Sequence, residues 1–281
     1  MLRQRIVTTI ALLAPLLAAL FYLPSLGLAA LFGIVVALAA WEWAGLCGFS
    51  STAQRTGLAV FLLGLGTIGT AVLHARPTLI WPVALLAAVW WVWVLVELVR
   101  HDTRPVGLFV SPAGKVIGAA MILVPPWFAA YYLHAHDSDR PALLLFVLVL
   151  VGVADSFAYL AGHLFGRTKL APHLSPGKTV EGLLGGLASV VVLAALWGLW
   201  FTDRSGWHLV AWLGLAMTTM LFSVVGDLAE SRLKRLAGVK DSGRLLPGHG
   251  GVLDRIDAFT AAAPIFLLGW IVLFQAPAQL P

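Results

Sequence analysis

The sequence predicts an all-α, polytopic integral membrane protein with about nine transmembrane helices, amino terminus inside and carboxy terminus outside. Three observations carry this. Of 281 residues, 60% are hydrophobic and only 11% charged, whereas soluble domains carry roughly 25% charged residues. Apolar stretches of the length a bilayer requires, about 20 residues, recur nine times along the chain. The basic residues fall in alternate loops. This composition excludes a soluble enzyme, a nucleic-acid-binding module and a disordered chain. The net charge of +5 reflects where the loops sit, not a nucleic-acid partner.

The apolar stretches run roughly over 6–23, 26–46, 57–73, 79–98, 117–135, 142–162, 183–201, 208–227 and 259–276. Each must be helical, because lipid offers no partner for an open strand's N–H and C=O groups. Arg3 and Arg5 before the first stretch also suit a signal peptide. The length of that run, and a second span beginning directly after Pro24 and Ser25, favour a retained helix. Of the 18 Lys and Arg residues, Arg76, Arg140 and Arg204 fall in outer segments under this topology. All the others fall in inner ones, as the positive-inside bias requires. The single Cys47 excludes an internal disulfide or a cysteine metal cluster.

The two parts of the chain differ in character. Residues 1–140 have short, chemically plain loops and read as a scaffold, with a dimer surface as one use. Residues 141–281 carry two long inner loops, 163–182 and 228–258, rich in Gly, Pro, Lys, His and acids. No internal repeat is visible, which counts against inverted-repeat transporters.

Asp155 lies within the sixth stretch, with Tyr159 one turn on. A carboxylate at that depth is a functional candidate by default, although a bond to a neighbouring helix would also explain it. Gly162 and Gly166 form a small-xxx-small pair, the pattern of close helix packing. Pro176 and Gly177 suggest a turn, with Lys178 and Thr179 opening a helix. A lysine and free backbone N–H groups at a helix start suit a phosphate. Asp227, Glu230 and Ser231 share a face at i, i+3 and i+4, and Lys234 extends it. The helix bearing them should run past the membrane to a cap at Gly238. Asp254 and Asp257, again i and i+3, stand at the start of the ninth helix. Carboxylates without His or Cys ligands prefer hard cations, and Mg²⁺ above all when phosphates complete the shell. Lys234, Arg235, Lys240 and Arg244 complement a polyphosphate. Headgroup anchoring with salt-bridged acids would account for some of these charges singly. It does not account for His249-Gly250-Gly251 or for two Asp at helical spacing. Glu42 and Glu97, near inner span ends, read as packing or interfacial residues.

Residues 231–257 combine Ser231-x-Leu-Lys234-Arg235, Lys240-Asp241 and Pro247-Gly-His249-Gly250-Gly251-Val-Leu-Asp254-Arg255-Ile-Asp257. This run resembles the signature of the phosphatidate cytidylyltransferases (CDP-diacylglycerol synthases), and the likeness extends over the nine spans. The resemblance implies transfer of CMP from CTP to phosphatidate, giving CDP-diacylglycerol and pyrophosphate at the cytosolic face of a bacterial-type inner membrane. It implies one or two Mg²⁺ ions on Asp227, Asp254 and Asp257, with Lys234 and Lys240 also catalytic. Ser231, Arg235, His249, Gly250, Gly251 and Arg255 would contact substrate, with Ser175 and Lys178 bordering the same pocket. Gly177 and His163 stand where the family often has basic residues. A homodimer is also implied. A CTP-dependent polyprenol or dolichol-type lipid kinase shares membrane and nucleotide but would release CDP. A transporter would place its ionisable residues near the midplane.

Overall fold

A computed structural model describes residues 2–100, 111–137, 141–201, 206–246, 248 and 250–275. Among the described residues, nine α-helices form its frame: α1 (Leu2–Tyr22), α2 (Ser25–Leu46), α3 (Thr52–Ala75), α4 (Ile80–Arg100), α5 (Pro112–Ala135), α6 (Ala142–Phe165), α7 (Val180–Phe201), α8 (Gly206–Leu236) and α9 (Leu253–Phe274). Eight of them are long and apolar enough to cross a membrane; in α1 only Leu13–Tyr22 counts as an apolar helix among the described residues. The helices cover the expected stretches, and two of them carry side-chain caps at their starts. Ser51 caps α3 in a reciprocal box with Gln54, and Ser111 caps α5 through the Gly114 N–H, so each satisfies an otherwise unpaired first-turn donor.

One element departs from the all-helical expectation. Strands β1 (Lys169–Ala171) and β2 (Ser175–Thr179) form an antiparallel hairpin between α6 and α7. Pro176, Gly177, Lys178 and Thr179 therefore belong to a strand, and α7 opens only at Val180. Pairing with β1 holds this segment extended, and the Thr179 hydroxyl then accepts the Gly182 N–H at 3.1 Å to start the helix. The hairpin lies in a loop, where strand pairing need not be completed within lipid.

Helix α5 is the most enclosed span and packs against α2, α3, α4 and α9. Its Trp127 fills space left by Gly33 and Gly66, and its Phe128 the space at Gly69. Phe146, Trp212 and Phe266 tie α6, α8 and α9 together in one aromatic cluster. Successive helices run up and down. One end of the bundle gathers the end of α2, the starts of α5, α7 and α9, the ends of α4 and α6, and the last turns of α8. Lys115 donates to the Cys47 carbonyl there at 2.6 Å, and buried Arg232 to the Glu97 carbonyl at 3.2 Å. At the opposite end His134 meets Ser25 at 2.9 Å and the Leu20 carbonyl at 3.0 Å. Arg104, Arg140 and Arg204 lie outside the described residues.

Candidate active site

The chemistry-bearing residues collect at that first end of the bundle. Glycines make the convergence possible. Gly162, Thr179 and Gly182 bring α6, the hairpin and α7 into near contact; a Cβ at Gly182 would strike the Ala158 carbonyl. This is the close packing expected of small residues between spans. A Cβ at Gly226 would collide with the Asp257 carbonyl. Only glycine there lets α8 and α9 approach closely enough to set Asp227 beside Asp257.

Helix α8 ends as the sequence suggested. Gly238 adopts φ +71°, and its N–H and that of Val239 return to the Arg235 and Lys234 carbonyls. This is a Schellman closure, which requires the left-handed conformation glycine adopts without strain. The last turns of α8 thus stay helical and hold Asp227, Glu230, Ser231 and Lys234 in register.

Between α6, the hairpin, α7 and α8 lies a cavity of about 450 Å³. Asp155, Tyr159, Ser175, Lys178 and Asp227 line it. Lys178 Nζ contacts Asp227 Oδ2 at 2.5 Å, and Ser231 Oγ donates to Asp227 Oδ1 at 3.3 Å. Asp257 sits behind this pair and feels the negative charge of both Asp227 and Asp155. Arg255 lies close enough to Asp155 to offset part of that charge.

A second cluster lies beside the first. Lys234 Nζ donates to Glu230 Oε2 at 2.6 Å and to Asp254 Oδ1 at 2.7 Å. Asp254 Oδ2 accepts from Ser242 N at 2.9 Å, Ser242 Oγ at 2.9 Å and Gly251 N at 2.8 Å. Asp254 therefore fastens the 237–252 segment to α9 and to Lys234. Gly250, at φ +82°, lies against the same carboxylate and forms a bridge with Leu246. Glu42 reaches in from α2: its Oε2 accepts the Leu253 N–H at 2.8 Å and the Ser242 hydroxyl at 3.1 Å.

The structure thus brings Asp227, Lys178 and Ser175 to the cavity wall, with Ser231 and Asp257 next to Asp227, and Lys234, Asp254 and Gly251 in the neighbouring cluster. Arg235 is turned toward the hairpin, donating to the Leu174 carbonyl at 3.3 Å. Lys240 is exposed on the connecting segment. Pro247 and His249 lie outside the described residues.

The three expected metal ligands do not form one set. Among the described residues no three His, Cys, Asp or Glu side chains converge to hold an ion. The reason is local: Asp254 already accepts four hydrogen bonds, one of them from an ammonium. The donor chemistry of Asp227 and Asp257 does fit a hard cation, since both are oxygen ligands and Asp257 feels the negative charge of Asp227.

Glu42 was missed at the level of sequence. An acid at the last turn of an apolar helix is a signal in itself, but nothing in the linear sequence links it to a segment two hundred positions away.

A cytidylyltransferase family model matches residues 3–273 of the chain. The chain is similar to the phosphatidate cytidylyltransferase of Pseudomonas aeruginosa, at 41% identity over 278 residues, covering 99% of this chain and 100% of that protein. It is also similar to the proteins of that name from Haemophilus influenzae, at 38% identity over 95% of the chain and 97% of the relative, and Thermotoga maritima, at 39% over 61% and 64%.

Proposed function

The chain belongs to the cytidylyltransferase family, and from that premise we propose how its residues carry the reaction. It is a nucleotidyltransferase that makes CDP-diacylglycerol. A phosphate oxygen of phosphatidate forms a bond to the α-phosphorus of CTP, the bond from that phosphorus to the β-bridging oxygen breaks, and pyrophosphate leaves. The attacking phosphate is already anionic at neutral pH, so no strong base is needed. The difficulty lies in bringing anions together and stabilising charge on the transferring group.

The observation that carries this reading is the meeting of Asp227 of α8 and Lys178 of the hairpin on one cavity at the basic end of the bundle, with Asp257 of α9 close enough to Asp227 to feel its charge. Lys178 and Ser175 supply donors to phosphate oxygens at the cavity wall. Lys234 holds Asp254, which in turn shapes the loop bearing Lys240 and Gly250-Gly251 around the nucleotide. Arg235 and Arg255 contribute positive charge at its rim. Asp227 and Asp257 would hold Mg²⁺, with phosphate oxygens completing the shell; the ion would neutralise charge on the phosphates. Two protein carboxylates fit this better than three, because Mg²⁺ at nucleotide sites draws most of its ligands from phosphate and water.

The chain is an integral membrane protein, and we place its site on the cytosolic side of a bacterial inner membrane. Among the described residues, nearly all the Lys and Arg outside the middle of the spans lie at the site end, where the positive-inside bias puts the cytoplasm. CTP is water-soluble and phosphatidate's head group sits at the interface, so both reach this end. A second copy of the chain belongs to the same reading through the family resemblance.

Purified protein supplied with CTP, Mg²⁺ and phosphatidate should release one pyrophosphate per CDP-diacylglycerol formed. Release of CDP, or turnover only with a polyprenol, would replace this reading with a lipid kinase.

A further inference from the structure

Helix α9 has no N-cap of its own. Val252 precedes it and makes no side-chain capping bond. Yet the first N–H of the helix, that of Leu253, is buried and must be satisfied. It donates to Glu42 Oε2 at 2.8 Å, across 211 positions of sequence. The same oxygen accepts the hydroxyl of Ser242 at 3.1 Å, and that hydroxyl also lies 2.9 Å from Asp254. Glu42 is 4% exposed, so water does not compete for these bonds.

The loop is shaped around this carboxylate. A Cβ at Gly243 would collide with Glu42 Oε1, and one at Gly251 with Glu42 Oε2 and the Ser242 hydroxyl. Neither glycine has a positive φ. Their lack of a side chain is explained by space alone, and Glu42 occupies that space. The negative charge also stands at the positive end of α9. Three features therefore agree: a missing local cap, a buried acid filling it, and two glycines that admit it.

We infer that Glu42 is a positioning residue for the nucleotide loop, acting as the N-cap of α9 from another helix and clamping Ser242, Gly243 and Gly251 against it. This rests on the reading of residues 240–257 as the nucleotide-binding segment. Glu42 touches no reacting atom. It acts through Ser242 and the Leu253 N–H, which fix the first turn of α9 and hence Asp254 and Asp257. It also makes the amino-terminal helices part of the active site's architecture.

The test uses the full chain in detergent micelles with Glu42→Ala, Glu42→Gln, Ser242→Ala and the Glu42→Ala/Ser242→Ala pair. Trypsin cleavage after the exposed Lys240 and Arg244 reports the loop independently of activity. Glu42→Ala should speed cleavage there about tenfold or more and raise the KM for CTP by about tenfold, roughly the loss of one buried hydrogen bond. The KM for phosphatidate should stay unchanged. Glu42→Gln keeps an oxygen acceptor and should recover most of both. The effect of Glu42→Ala should not add to that of Ser242→Ala, because the two share one contact. A general packing defect would instead lower kcat with both KM values intact, and that result would overturn the inference. So would native cleavage rates in Glu42→Ala. If Glu42→Ala fails to fold, Ser242→Ala decides: it removes one donor to the carboxylate and should speed cleavage after Lys240 and Arg244, and native cleavage rates would sink the idea. If the wild-type chain turns over no CTP, the nucleotide reading falls, and the cleavage rates still judge Glu42.

Discussion

Asp254 and Asp257 stand one turn apart on α9, yet their surroundings set them to opposite tasks. Asp254 is filled by Lys234, Ser242 and Gly251. Asp257 faces the charge of Asp227 and Asp155. Removing one partner of a buried ion pair is costly, about 3–5 kcal/mol. Asp254→Asn should therefore lower both the melting temperature and the activity. Asp257→Asn relieves repulsion between carboxylates, so without Mg²⁺ its melting temperature should equal or exceed that of the wild type. Its kcat should still fall by about 100-fold or more. Thermal melts of the two variants, run beside pyrophosphate release, separate the roles; identical melts would refute the distinction. Cys47 provides a simpler residue-scale check. Burial pushes its thiol up to about 11, which leaves little thiolate at pH 8. Alkylation of the folded chain should be slower than that of the denatured chain by about 100-fold.

Among elements, the crossing of α8 and α9 decides whether a site exists. Gly226 allows the α9 backbone to pass directly beside Asp227. Gly226→Leu should force the helices apart and destabilise the protein by about 1–3 kcal/mol, as overpacking usually does. Activity should fall further than stability, because the Asp227–Asp257 approach depends on that contact. Melting temperature and kcat measured together test this, and unimpaired turnover would exclude it. The hairpin was the element least visible in the sequence. Pro176 and Gly177 suggested a turn, and Lys178 a helix start. The chain instead stays extended through Thr179, because pairing with Lys169–Ala171 outweighs the weak local preference for helix.

For the whole molecule, the main consequence is that, among the described residues, one end of the bundle carries most of the Lys and Arg side chains. Cysteines introduced at Val239 and at Thr78, in a chain whose Cys47 is replaced by Ser, should label from opposite sides of an inverted membrane vesicle. Val239 should react from the cytosolic side and Thr78 from the other. Labelling of both from one side would refute the up-and-down arrangement. The amino-terminal helices also take on a larger part than a scaffold. Glu42 of α2 contacts the loop before α9, and Glu97 of α4 accepts from Arg232 of α8. The division at residue 140 marks a change in loop chemistry; it does not separate the site from the rest.

Much of this protein was legible from residue order alone. Apolar runs of span length dictate helices because lipid offers the backbone no other partner, and stop signals such as Gly238 fix where they end. Asp227, and the Asp254–Asp257 pair one turn apart, were recognisable as candidates because helical spacing is a local property, while their grouping came from the family resemblance. What each acid does was not recognisable. Whether a carboxylate is saturated by donors or left facing another carboxylate depends on groups that arrive from distant helices. Lys178, Ser242 and Glu42 reach the site only when α2, the hairpin, α8 and α9 pack together. A residue's type is written in the chain, but the charge and the donors around it are set by that packing.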